Sequence, residues 1–273
     1  MPFATAAYES QWEPLAAKEI NGEPLRVMHH PDHTRGIPIL LTHGLEEVWQ
    51  SWLPLAERLA PRYRLLPVDL PWRANGDYSW SETLPPSRWL AEAVGMLPFA
   101  PSALIGHSFG SNTILEYLAG PSPVPVDAVV LTSPIYRARR EEVSWEMLQE
   151  SVVNFRDIIS AGLKVRAEGR QFPPEVFEKM VDAILERVGP NGLVNLFRLV
   201  GHSPFIELRR IGMPTLIIAG VAEATEVGTG TRALAAALPA GRLELLEDFN
   251  HFCQVAQADE VAALAGAHLG LYL

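Results

Sequence analysis

Apolar and polar positions follow two rhythms along this chain. Ile37 to Thr42, Tyr63 to Val68, Ala103 to Ile105, Val126 to Thr132 and Thr215 to Ala219 are short runs in which nearly every residue is apolar. They are too short for helices and too apolar for a strand with one wet face, so they predict buried strands of a parallel sheet. Arg242 to Leu246 is a further, more mixed strand candidate. Between these runs apolar residues return at helical spacing in Trp49 to Leu59, Ser87 to Leu97, the segment opening with Ile114 and Leu115, Thr231 to Leu238, and about Val255 to Leu269. Ahead of them, KEINGEPLRVMHH from Lys18 reads as two strands around Asn21-Gly22, a two-residue hairpin signal. Residues 1 to 16 show no period and are expected to wrap the surface.

The alternation stops between Ser133 and Met213. Residues 136 to 205 hold only helix-like material, Val143 to Glu168, Pro174 to Val188 and Gly192 to Val200, punctuated by Pro173-Pro174 and Gly189-Pro190. The resulting fold class is α/β: a mostly parallel sheet of about eight strands with helices on both faces. Residues 1–135 and 206–273 form the core. Residues 136–205 form a helical lid inserted after the sixth strand, over the C-terminal edge where open α/β sheets bind ligands.

Composition narrows the partners. Over 273 residues, 48% are hydrophobic and 20% charged, and 22 Lys+Arg against 32 Asp+Glu give a formal net charge of -10. Such a balance repels phosphate backbones and anionic lipid, which argues against nucleic acid and membrane surfaces as partners. Cys253 is the one cysteine, so an intrachain disulfide and a multi-cysteine metal site are excluded, and it reads as a small buried residue. The start of the sequence lacks a basic segment followed by an apolar core, and no run is long enough to span a bilayer, so a cytoplasmic location is expected. Neither a cofactor nor a metal is expected.

The chemistry centres on Gly106-His107-Ser108-Phe109-Gly110, between a predicted strand and a predicted helix. Glycines two positions either side of a serine allow strand and helix to fold closely together, lift the hydroxyl clear of the sheet, and put the Phe109 amide at a helix N-terminus. A serine hydroxyl needs a base to become a nucleophile. His251 is the best placed, in the loop Phe249-Asn250-His251-Phe252 after the last strand, at the same sheet edge. His43 and His107 sit in the glycine turns and are expected to brace backbone, while His202 in the insert could reach down. A carboxylate must orient the base; Glu223, after the strand ending Ala219-Gly220, is the candidate and Glu226 the reserve, against the reading of both as solvated helix-start acids. The second oxyanion amide is expected from Leu45, in the turn that Gly44 opens. Glu46 and Glu47 follow it and read as solvated, with the alternative that one lines the pocket.

His43-Gly44, Asp69-Leu70-Pro71, Gly106-His107-Ser108-Phe109-Gly110 and Asn250-His251-Phe252, in this order, resemble the α/β-hydrolase superfamily, specifically its lid-bearing branch of esterases, thioesterases, carbon-carbon bond hydrolases and cofactor-free haloperoxidases. The resemblance implies Ser108 as nucleophile, His251 as base, and Leu45 and Phe109 as oxyanion donors. Two features depart from the family pattern: Glu223 stands where aspartate is usual, and Trp72 in Pro71-Trp72-Arg73 replaces glycine-rich sequence and should narrow or wall the pocket. His43, Glu46, Trp72, His107 and Trp145 are the expected pocket residues. The expected function is hydrolysis of an ester or thioester with a largely apolar acyl group, since the lid carries Trp145, Leu148, Val152, Val153, Phe155, Ile158 and Ile159. One alternative is a lyase, cyclase or carbon-carbon bond hydrolase in which His251 does acid-base work; another is a non-catalytic small-molecule receptor. Arg137, Arg139 and Arg140 read either as a solvated face or as a docking point for an acidic acyl carrier protein.

Overall fold

Asn21 and Gly22 both adopt left-handed backbone, with φ of 51° and 86°, and so close a two-residue turn between β1 (Glu13–Ile20) and β2 (Glu23–His29). This antiparallel hairpin forms one edge of a sheet that continues with β3 (Ile37–Thr42), β4 (Tyr63–Asp69), β5 (Ala103–His107), β6 (Ala128–Thr132), β7 (Thr215–Gly220) and β8 (Gly241–Leu246). The computed structural model describes residues 6–60, 62–167, 169–221 and 228–273. Among them the sheet has eight strands in the order β1-β2-β4-β3-β5-β6-β7-β8. β2 meets β4 antiparallel, and every pairing from β4 across to β8 is parallel. The expected strand content and direction are therefore observed. The exception lies at residues 13–16, expected as surface wrapping and found as the start of β1, where a bulge falls between Pro14 and Ala16. An edge strand with little burial on either face leaves no apolar alternation to read.

The continuous apolar runs have a direct cause. Successive side chains point to opposite faces, and both faces are covered. Leu40, Leu104, Val129 and Ile217 enter one core with helices α4 (Pro86–Gly95) and α5 (Phe109–Ala119). Ile39, Leu41, Ile105, Val130 and Ile218 enter the other, with α2 (Leu53–Leu59) and α10 (Ala258–Tyr272). The remaining helices are α1 (Ala6–Glu9), α3 (Trp80–Thr83), α6 (Trp145–Arg166), α7 (Pro174–His202), α8 (Gly228–Ala237) and α9 (Cys253–Ala256).

Helices α6 and α7 occupy the connection between β6 and β7. Ser144 caps α6, accepting from the Met147 amide at 3.1 Å. Pro174 opens α7, where a missing N–H costs nothing. Gly189 interrupts α7 with φ 52° and ψ -164°, and Pro190 follows. The break that Gly189-Pro190 signals in the sequence is thus a kink between two helical segments. Phe155, Ile159, Val188 and Leu196 turn inward and join the core on the α4/α5 face. No helix among the described residues is long and apolar enough to cross a membrane.

Candidate active site

Ser108 stands between β5 and α5 with φ 50° and ψ -118°, a conformation that costs a non-glycine residue about 1–3 kcal/mol and persists only when its surroundings enforce it. Its amide donates to Thr132 O at 2.9 Å, and its carbonyl accepts from the Asn112 amide at 3.2 Å. The flanking glycines make room: a Cβ on Gly106 would lie 2.8 Å from the Ser111 nitrogen, and one on Gly110 only 2.3 Å from Thr42 O. Neither position admits a side chain without moving backbone. Its Oγ forms a hydrogen bond with His251 Nε2 at 3.0 Å, joining residues 143 apart in sequence. A serine hydroxyl in hydrogen-bond contact with an imidazole can pass its proton to the ring as it attacks an electrophile.

The loop that presents His251 is shaped by Asn250, whose Oδ1 accepts from the Phe252 amide at 2.8 Å. The His251 carbonyl accepts from His107 Nε2 at 2.7 Å. His107 therefore braces the His251 backbone, in keeping with its place in the turn. Glu223 and Glu226, the candidates for the orienting acid, lie outside the described residues.

The turn after β3 is built from buried polar groups. His43 Nδ1 donates to Gly44 O at 2.8 Å, and Nε2 accepts from the Leu70 amide at 3.2 Å. This fixes a neutral tautomer, in keeping with burial pushing the His43 pKa down. Trp72 Nε1 donates to His43 O at 3.0 Å. Glu47 accepts from the Gly44 amide at 2.6 Å, from His107 Nδ1 at 2.9 Å and from Gln254 Nε2 at 3.0 Å. Burial alone would raise its carboxyl, but the His107 ring and the Gly44 amide outweigh burial and lower it to about 2. Glu46 has φ 59°. Its carboxylate takes a hydrogen bond from Tyr78 at 2.9 Å and an ion pair from Arg187, and burial with this carboxylate pushes the Tyr78 pKa up. Arg166 Nη2 donates to Glu46 O at 2.7 Å. The solvated reading of Glu46 and Glu47 is thereby corrected: both are buried. Their partners come from Gly44, Tyr78, His107, Gln254 and helices α6 and α7, so only the spacing of Glu47 from Gly44 was available in sequence as a signal.

A narrow cavity, with about 40 Å³ of free space, opens over Ser108. Gly44 to Glu47, His107 and His251 form one side; Phe155, Ile158, Ile159, Leu163 and Arg166 of α6 and Ile184 and Leu196 of α7 form the other. Of the expected pocket residues, Glu46 and His107 line it. His43 and Trp72 do not; they are buried beneath the turn, where the bond from Trp72 to the His43 carbonyl draws the indole inward against Phe109. Trp72 therefore supports the turn and does not wall the pocket. Trp145 is 72% exposed, because it is the first residue of α6 and stands about 15 Å along the axis from Phe155. Val152 and Val153 are also exposed. His202 meets Glu116 at 3.1 Å, away from this cavity. Arg139 and Arg140 are exposed, Arg139 pairing with Glu142 at 2.9 Å, and neither they nor Arg137 line the cavity. Cys253 is buried, as expected.

Comparison with known proteins agrees with this architecture. A model described as the alpha/beta hydrolase family matches residues 39–264. The chain is 26% identical over 238 residues to a pimeloyl-[acyl-carrier protein] methyl ester esterase of Aeromonas salmonicida, covering 80% of this chain and 89% of that one. It is 21% identical over 246 residues to an (E)-2-((N-methylformamido)methylene)succinate hydrolase of Acinetobacter baylyi, covering 86% and 91%. Among solved structures, a bromoperoxidase from Bacillus anthracis superposes with a TM-score of 0.67 at 20% identity, covering 93% of this chain and 99% of that one. An esterase from Exiguobacterium antarcticum gives a TM-score of 0.68 at 15% identity, covering 94% and 100%.

Proposed function

The chain belongs to the alpha/beta hydrolase family, and from that premise we propose that it is a serine hydrolase of esters or thioesters with a largely apolar acyl group. Ser108 Oγ attacks the carbonyl carbon while His251 Nε2 takes its proton. The amide of Leu45 and the first-turn amide of Phe109, which has no partner within its helix, receive the developing oxyanion. His251 returns the proton to the leaving alcohol or thiol, and water, deprotonated by the same ring, releases the acyl group. Glu223, or Glu226 in its place, orients His251.

The observation that carries this reading is the 3.0 Å contact between Ser108 Oγ and His251 Nε2 at a serine held in left-handed backbone. Phe155, Ile158, Ile159 and Ile184 favour an apolar acyl group. About 40 Å³ of free space holds only about three waters. Residues 136–205 therefore act as a lid, and α6 and α7 shift to admit substrate. The Aeromonas relative acts, by its name, on an acyl group carried by a protein; for a carrier-linked substrate here, the exposed Arg139 and Arg140 are the docking cations.

Hydrolysis of butyryl and hexanoyl p-nitrophenyl esters by the protein and its Ser108→Ala and His251→Ala variants tests the reading. Both variants are expected to lose kcat by roughly ten-thousandfold or more, and by similar amounts, because the two groups act as a unit. A mild loss for Ser108→Ala beside a near-total one for His251→Ala would contradict covalent catalysis and support acid-base chemistry by His251 alone.

A further inference from the structure

We infer that Arg166 anchors an anionic group of the substrate, so that the favoured ester carries a carboxylate a few bonds from its scissile carbonyl; this names a substrate class for the hydrolase reading and rests on it. Among the described residues, Arg166 is the one arginine or lysine lining the cavity over Ser108. It enters no ion pair among the described residues, and its hydrogen bond goes to a neutral acceptor, the Glu46 carbonyl at 2.7 Å. A guanidinium has five N–H donors in a planar fork, so most of this one's capacity is unspent. Among the described residues, the two carboxylates lining the cavity, Glu46 and Glu47, do not use it. Glu46 is held by Arg187 and Tyr78, and Glu47 by Gly44, His107 and Gln254. The rest of the α6 wall is Phe155, Ile158, Ile159, Gly162 and Leu163. A half-buried cation with open donors beside apolar walls favours an anion that can bond it in bidentate fashion.

The position sets how far that anion lies from the reacting carbonyl. Gly162 packs on the ring of Phe252, the neighbour of His251, and Arg166 is one helical turn beyond, about 6 Å along α6. Its acceptor, the Glu46 carbonyl, belongs to the residue after Leu45, whose amide is the proposed oxyanion donor. Two residues of chain span at most about 7 Å. The guanidinium therefore stands at the oxyanion end of the cavity and not at the remote end of an acyl tunnel. A short acyl chain ending in a carboxylate, as in a dicarboxylic half-ester, bridges the two points.

The test compares monomethyl glutarate with its neutral isostere methyl 5-methylhexanoate, followed by NMR, in the protein and in Arg166→Gln and Arg166→Lys variants. The readout is the ratio of kcat/KM for the two esters, whatever happens to each rate. The expected ratio in the parent protein is about tenfold to a hundredfold in favour of the anion, the usual worth of a hydrogen bond to a charged group. It should collapse in Arg166→Gln and survive in part in Arg166→Lys. Calorimetric binding of 5-oxohexanoate, the ketone analogue of the half-ester, to Ser108→Ala protein should weaken at least tenfold when Arg166→Gln is added. A ratio at or below one, a ratio unchanged in Arg166→Gln, or equal ketone binding overturns the assignment. Turnover of the neutral ester without charge preference would sink this inference alone. Absence of turnover for both esters, together with a Ser108 that does not react with phosphonates, would sink the hydrolase reading instead.

Discussion

Glu47 shows how a single buried group can tie three parts of a site together. Its carboxylate holds the Gly44 amide of the turn after β3, the His107 ring that supports the His251 carbonyl, and Gln254 in α9. Its pKa is depressed to about 2 from an ordinary 4.5, because His107 and Gly44 outweigh the upward pressure of burial. A depressed carboxyl stabilises the fold fully above its unfolded value and loses that contribution as pH falls through the folded one. The melting temperature of Glu47→Gln is therefore expected below that of the parent at neutral pH, by an amount corresponding to about 3 kcal/mol, with the gap closing between about pH 4.5 and pH 2. A gap independent of pH over that window would show that the charge of Glu47 is not what stabilises. Sequence reading found the positions of Ser108, His251 and the bracing His43 and His107, because each sits in a local turn pattern. It misread Glu47, whose partners His107 and Gln254 are 60 and 207 residues away, and Trp72, whose direction is decided by a carbonyl 29 residues upstream.

The elements around the site leave little slack. α5 approaches β3 so closely that the Gly110 Cα faces the Thr42 and His43 carbonyls. Gly110→Ala would drive a methyl group into backbone at 2.3 Å; we expect a loss of about 3 kcal/mol or more, read by urea denaturation, and a loss within 0.5 kcal/mol, the range of an ordinary surface change, would mean that α5 can move away freely. Strands buried on both faces, the Asn21-Gly22 hairpin and the Gly189-Pro190 break were legible because each rests on local backbone chemistry. The first residues of β1 were not, since an exposed edge strand is specified by pairing with β2 and not by its own pattern. Likewise, the apolar content of α6 was plain in sequence, but which residues turn inward was set by docking. Phe155, Ile158 and Ile159 face the cavity while Trp145, Val152 and Val153 face solvent.

At the scale of the molecule, the order β4-β3-β5-β6-β7-β8 carries the loops after β3, β5 and β8 to one sheet edge, and α6 and α7 cover what those loops assemble. Parallel pairing makes this convergence a consequence of topology: strands that run the same way end on the same side, so a turn serine and a late-loop histidine meet despite their separation. The surplus of negative charge, 32 Asp+Glu against 22 Lys+Arg, leaves Arg166 as a local exception on the cavity over Ser108. Whether Ser108 is the nucleophile is read from the intact mass of the folded protein after treatment with a fluorophosphonate, followed by peptide mapping. One adduct per chain is expected, on Ser108, absent in Ser108→Ala and much slowed in His251→Ala. A folded protein that takes no adduct, or takes it at a serine other than Ser108, would contradict it.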